Sequence, residues 1–195
     1  MLETILGGIA FLLFIIYDLE QAGYLSHRLH AITRFFFLGG FIFLLIGTGC
    51  AVWQQVKLCS HWDWSMLVGL PLTVLFLLLL FYTLFFALPF QDTYMEQNVG
   101  AKTYDRGMYA LCRHPGVLWF AGLYAALWCT LGGKLLLWLA FFYSLLNLFY
   151  VVLQDRYTFP RIFSDYESYQ QKVPFLLPNR ESLKRCVSTL RKAGD

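Results

Sequence analysis

Residues 66–90 read MLVGLPLTVLFLLLLFYTLFFALPF, twenty-five positions without one charged side chain. A bilayer core roughly 30 Å thick needs about 17–25 apolar residues in helical form. Inside lipid the backbone must satisfy its own hydrogen bonds, so a run of this kind reads as a membrane helix. Similar runs lie on either side of it, at 35–53, 117–131 and 135–153, with a shorter one at 2–17. The chain is 58% hydrophobic and 14% charged, where a soluble domain carries about 25% charged residues. Four near-consecutive apolar runs leave too little polar surface to cover them in water. The first run lacks a basic leader, carries Glu3 and has no small-residue cleavage site before Asp18, so it reads as a retained helix and not as a signal peptide. The expected fold is an all-α polytopic integral membrane protein, one domain over 1–195. It has about five transmembrane helices, near 2–17, 34–53, 65–90, 116–132 and 134–153. An amphipathic C-terminal segment (154–178) and a basic tail (179–195) follow.

Charge orients this map. Five helices place the loop after the first, the loop 91–115 and the C-terminal tail on one side. That side holds thirteen of the fifteen Lys and Arg residues, and the other holds Lys57 and Lys134. The positive-inside rule makes the richer side cytoplasmic. The net charge of +3 calls for no nucleic-acid partner, and a basic tail suits an anionic leaflet. The cysteines at 50, 59, 112, 129 and 186 form no C-x-x-C pair and are not spaced with histidine as zinc ligands, so free thiols and no metal are expected. Aromatics crowd the segment after Gln154 (Tyr157, Phe159, Phe163, Tyr166, Tyr169, Phe175), which suits a membrane interface. Pro160 is expected to break the first tail helix, and Val173-Pro174 to end the second.

Three patterns could carry chemistry. Arg113-His114-Pro115 sets a cation and an imidazole just before an apolar helix. Its proline suits a first helical turn, and free N–H groups there can bind an anion. The same residues also suit an interfacial anchor, with arginine reaching lipid phosphate. Tyr143, Asn147, Tyr150 and Gln154 share one helical face, which either bonds a neighbouring helix or leads to Gln154 and Asp155. Gly122 and Ala126, beside Ala121, Ala125 and Cys129, repeat small residues every four positions, a pattern for close helix packing.

The segment 106–115, Arg-Gly-Met-Tyr-Ala-Leu-Cys-Arg-His-Pro, resembles the G-x-Y-x-x-x-R-H-P signature of the membrane-embedded methyltransferases. That superfamily includes isoprenylcysteine carboxyl methyltransferase and the phospholipid N-methyltransferases. The family's downstream half has an acidic pair, then aromatics, then Y-x-x-Y-x-x-x-V-P and a further proline. Here the order is Gln154-Asp155, Phe163, Tyr166 to Pro174, and Pro178. The likeness spans roughly 107–178. It implies S-adenosylmethionine as methyl donor, held on the cytoplasmic side by the regions 91–115 and 154–178, and a lipid or other lipophilic small-molecule acceptor entering from the bilayer. By position it assigns Tyr109, Arg113, His114, Gln154, Asp155 and Tyr169 to the cofactor site and identifies no catalytic residue. Two positions depart from the pattern: Val117 stands where the family often has tyrosine, and Gln154 replaces the first acid. An NADPH-dependent membrane reductase of the sterol type has a similar C-terminal region. A non-catalytic protein that retains the fold is a further alternative.

Overall fold

The computed structural model describes residues 1–25, 30–58, 64–87 and 102–191. Nine helices are found among them: α1 (Leu2–Gln21), α2 (His30–Leu58), α3 (Trp64–Phe85), α4 (Met108–Leu111), α5 (Pro115–Leu131), α6 (Lys134–Leu153), α7 (Phe159–Ile162), α8 (Tyr166–Lys172) and α9 (Arg180–Arg191). Four helical stretches are long and apolar enough to cross a membrane: α1, most of α2, α3, and α6 with its continuation to Ile162. The expected fourth span is α5, which is apolar but only 17 residues long. At about 1.5 Å per residue it measures about 25 Å.

α1 and α2 run past the predicted ends, whereas α5 and α6 keep theirs to within one residue. The first was expected to stop at 17 and continues to Gln21, and the second extends from 34–53 to His30–Leu58. The third was expected to reach 90; α3 closes at Phe85, and residues 88–101 lie outside the described set. Apolar runs mark the lipid-facing part of a helix. The helix itself continues through polar residues that still have internal hydrogen-bond partners.

Neighbour contacts fix the order of the bundle. α1 and α2 are antiparallel, since Gly40 abuts Ala10 and Phe14 while Gly47 abuts Glu3 and Leu6. A side chain at Gly40 would strike the α1 backbone, so glycine there sets how closely the two helices approach. α5 packs antiparallel on α3: Gly69 meets Thr130, Gly122 lies on the Phe76 ring, and Leu80 faces Gly116. Of the two small-residue rows, the one through Gly122, Ala126 and Thr130 makes this contact; Ala125 and Cys129 are exposed. Gly132 and Gly133, both at positive φ, turn α5 into α6. α1 and α6 run parallel, with Tyr143 on the Glu3 carbonyl near one end and Gln154 on Asp18 at the other. The row is therefore α2–α1–α6–α5–α3, and the Thr48 and Tyr124 hydroxyls also tie α2 to α5. Tyr143, Leu136 and Leu139 are fully enclosed at its centre. The outer faces remain apolar and open; only 11% of the apolar stretch of α3 is buried. Such a surface is matched by lipid and not by water.

Pro160 does not end the tail helix. α6 passes into a π turn at Gln154–Thr158 and then into α7, with Pro160 in its first turn. Proline lacks an N–H and crowds the carbonyl four residues back. The wider turn accommodates this, because the Phe159 N–H bonds the Gln154 carbonyl five residues back. α8 ends at Val173 with an extended backbone, as its proline requires. α9 packs Cys186 on Ala110 and Leu111 and leaves Leu183, Val187 and Leu190 exposed beside its basic residues.

A candidate buried polar site at the tail end of the bundle

Three elements converge where α5 begins and α6 ends. Arg113 and His114 form the extended link between α4 and α5, with Pro115 as the first residue of α5. The Arg113 N–H bonds the Pro174 carbonyl at 2.9 Å and the His114 N–H bonds the Phe175 carbonyl at 3.3 Å, so the chain after α8 lies against this link. Asp155 projects from the π turn, and α8 supplies Tyr166, Tyr169 and Gln170.

Asp155 is the hub. Its Oδ1 accepts from the Tyr166 hydroxyl at 2.7 Å and lies 3.2 Å from His114 Nε2. Its Oδ2 accepts from Arg113 Nη2 and Gln170 Nε2, each at 3.1 Å. Arg113 Nε is 2.9 Å from Oδ1, an ion pair without hydrogen-bond alignment. Arg113 Nη1 donates to the carbonyls of Gln170 (2.9 Å) and Val173 (3.3 Å). Both partners are enclosed, at 11% exposure for the Arg113 side chain and 9% for Asp155. A buried charge pair persists only where further hydrogen bonds satisfy the remaining lone pairs and protons, and here nearly all are satisfied.

The rest of the site is aromatic. The His114 ring stacks on Phe159 (5.8 Å, 10° between planes) and meets the edge of Phe175 at 5.2 Å. The Phe175 face also lies 5.6 Å from the Arg113 guanidinium. Burial holds the imidazole below its ordinary value of 6.5, against the pull of Asp155. The ring is therefore neutral. Since a carboxylate only accepts, its proton sits on Nε2, facing Oδ1. Burial and the neighbouring carboxylate push the Tyr166 hydroxyl upward, so it remains a donor. Tyr169 donates to the Tyr109 carbonyl at 2.7 Å, and Tyr109 donates to the Thr83 carbonyl at 3.2 Å, joining the site to α3.

Five of the six residues singled out in the sequence meet here: Tyr109, Arg113, His114, Asp155 and Tyr169. Gln154 does not. Its amide donates to Asp18 of α1 at 2.7 Å, on another face of the helix. The stripe Tyr143–Tyr150–Gln154 accordingly serves α1–α6 packing, with Tyr143 on the Glu3 carbonyl and Tyr150 and Gln154 on Asp18. Tyr166 and Gln170 were not singled out as site residues. Their spacing of four on α8 was the available signal, because it places both on one helical face.

Whether this donor set suits the methyl donor implied by the resemblance depends on the groups still able to bond. Arg113 Nε is buried against Asp155 Oδ1 at 2.9 Å, so Arg113 brings a ligand carboxylate its positive charge and not a vacant Nε donor. The phenol oxygen of Tyr169 keeps acceptor capacity for a hydroxyl or amine. The rings of Phe159 and Phe175 offer flat apolar faces. Asp155 is already saturated, so it orients Arg113 and His114 and has no free lone pair for a ligand. No protein-family model matches the chain, and no curated protein or solved structure compared with it matches either.

Proposed function

We propose that the protein is an integral membrane methyltransferase with about five transmembrane helices. It would take its methyl group from S-adenosylmethionine and pass it to a lipid or other membrane-partitioned small molecule. The observation that supports this reading is the convergence of the two halves of the sequence signature. Arg113 and His114 from one half bond Asp155 and α8 from the other. Bound S-adenosylmethionine would supply a methyl group activated by its sulfonium. In this reading Arg113, His114, Tyr109 and Tyr169 hold the cofactor and Asp155 positions the first two. The enclosed aromatic surroundings exclude water, and alignment of acceptor and donor supplies much of the rate. The site and the basic tail face the cytoplasm, and α5, although short, completes the odd number of crossings.

The test is calorimetric titration of the detergent-purified chain with S-adenosylmethionine, its demethylated product and NADPH. Saturable binding of the first two without NADPH is the expected result. Binding of NADPH alone would move the protein to the reductases. Binding of none of them by a sample with intact helical circular dichroism would overturn the enzymatic reading.

A further inference from the structure

A cavity of about 190 Å³ opens on the α1 side of the π turn. Its walls are mainly apolar and aromatic: Ile15, Leu19, Tyr24, Leu153 and Tyr157. Among them stands the carboxylate of Asp18, in the last turn of α1 and partly accessible through the cavity. Its hydrogen-bond partners are the Tyr150 hydroxyl and the Gln154 amide, the latter at 2.7 Å. Both are neutral. Among the described residues no cation pairs with Asp18. Arg161, at the rim, lies over the Tyr24 ring at 3.9 Å instead.

The contrast with Asp155 is informative. That carboxylate is enclosed with its own arginine, and Asp18 is half-buried with none among the described residues. A carboxylate among apolar walls has lost much of its hydration, and neutral donors replace only part of it. An arriving cation gains the attraction of a charge that folding has already stripped of much of its water. A divalent metal would need several oxygen ligands, and no cluster of acidic, histidine or cysteine side chains exists among the described residues. A primary ammonium needs only one carboxylate and nearby acceptors for its three donors. The apolar walls would receive the methylenes attached to it.

We infer that the cavity around Asp18 is a binding site for the primary ammonium group of a lipophilic amine, with Asp18 as counter-ion and Tyr150 and Gln154 holding the carboxylate in place. The amine belongs either to a free alkylamine or to an ethanolamine lipid headgroup. The inference stands apart from the methyl-transfer reading: a chain that binds amine but not S-adenosylmethionine would sink that reading and leave this one intact.

The experiment titrates the full-length chain in nonionic detergent with hexylamine, dihexanoyl phosphatidylethanolamine and hexanol at pH 7.5. Hexylamine should bind saturably. Hexanol, which has the same chain without the charge, should bind at least tenfold more weakly. Binding of the phosphatidylethanolamine as well identifies the headgroup as a source, and its failure restricts the site to free amines. Asp18→Asn should weaken hexylamine binding at least tenfold. Ile15→Trp should weaken it too, by filling the cavity with Asp18 retained, so the conclusion does not rest on one variant's folding. Equal binding of hexylamine and hexanol, unchanged binding by folded Asp18→Asn, or no saturable hexylamine binding would each overturn the assignment.

Discussion

Replacing Asp155 with alanine removes the one carboxylate that faces Arg113, His114, Tyr166 and Gln170 together. The guanidinium left behind is 11% exposed, and its remaining partners are the carbonyls of Gln170 and Val173. Breaking one side of a buried ion pair costs about 3–5 kcal/mol, because the other charge stays buried and unpaired. At about 1.4 kcal/mol per tenfold, that lowers the folding equilibrium by two to three or more orders of magnitude. Asp155→Ala should therefore lose stability at least as visibly as ligand binding. The double variant Arg113→Met/Asp155→Leu removes both charges and should be markedly more stable than Asp155→Ala. The assay is equilibrium unfolding in mixed micelles of rising sodium dodecyl sulfate fraction, followed by far-ultraviolet circular dichroism, for wild type, Asp155→Ala, the singles Arg113→Met and Asp155→Leu, and the double. A loss below about 1 kcal/mol in Asp155→Ala, or single-variant losses that simply add in the double, would show that Arg113 reaches water and that the pair is not the buried lock described here.

Three further outcomes are expected. Because burial lowers the His114 pKa below 6.5, the unfolded chain binds the proton more readily; the His114 contribution is complete above pH 6.5 and is lost as pH falls below it. Thermal midpoints of wild type and His114→Gln at pH 7.5 and 5.5 should show a smaller acid-induced drop in the variant, and identical drops would refute the neutral imidazole. Gly7 faces the Tyr143 ring with no room for a methyl group, so Gly7→Ala should lose about 1–3 kcal/mol by overpacking in the same micelle unfolding assay, and a neutral effect would contradict the α1–α6 contact. Single cysteines at Asp63 and Lys184 should react with an impermeant thiol reagent from opposite faces of sealed vesicles. Reaction of both from one face would eliminate the five-crossing topology.

Much of the architecture is legible in composition. The cores of the apolar runs coincide with helices of the structure. The ends of α5 and α6 fall within one residue of the expected ones; those of α1 and α2 do not, because Asp18 and Gln21 of α1 and Gln54 of α2 are polar residues that the helix still carries. The reading of Pro160 as a break failed because a π turn absorbs the missing donor, a local rearrangement that residue preferences do not encode. At the site, Arg113-His114-Pro115 is recognisable from its own chemistry. Tyr166 and Gln170 acquire meaning only once the position of Asp155 is known.

The chain's membrane character and its charge asymmetry were determined by sequence alone, since both follow from residue-by-residue solvation and need no knowledge of neighbours. Only the tertiary structure decided the fate of the adjacent pair Gln154 and Asp155. Successive residues on a helix diverge by about 100°. One of them therefore turns to Asp18 on α1, and the other to Arg113, forty-two positions away in the chain. Which face met which partner was set by how α1, α5 and α8 close around the end of α6, and contacts between such distant segments leave no mark in local sequence.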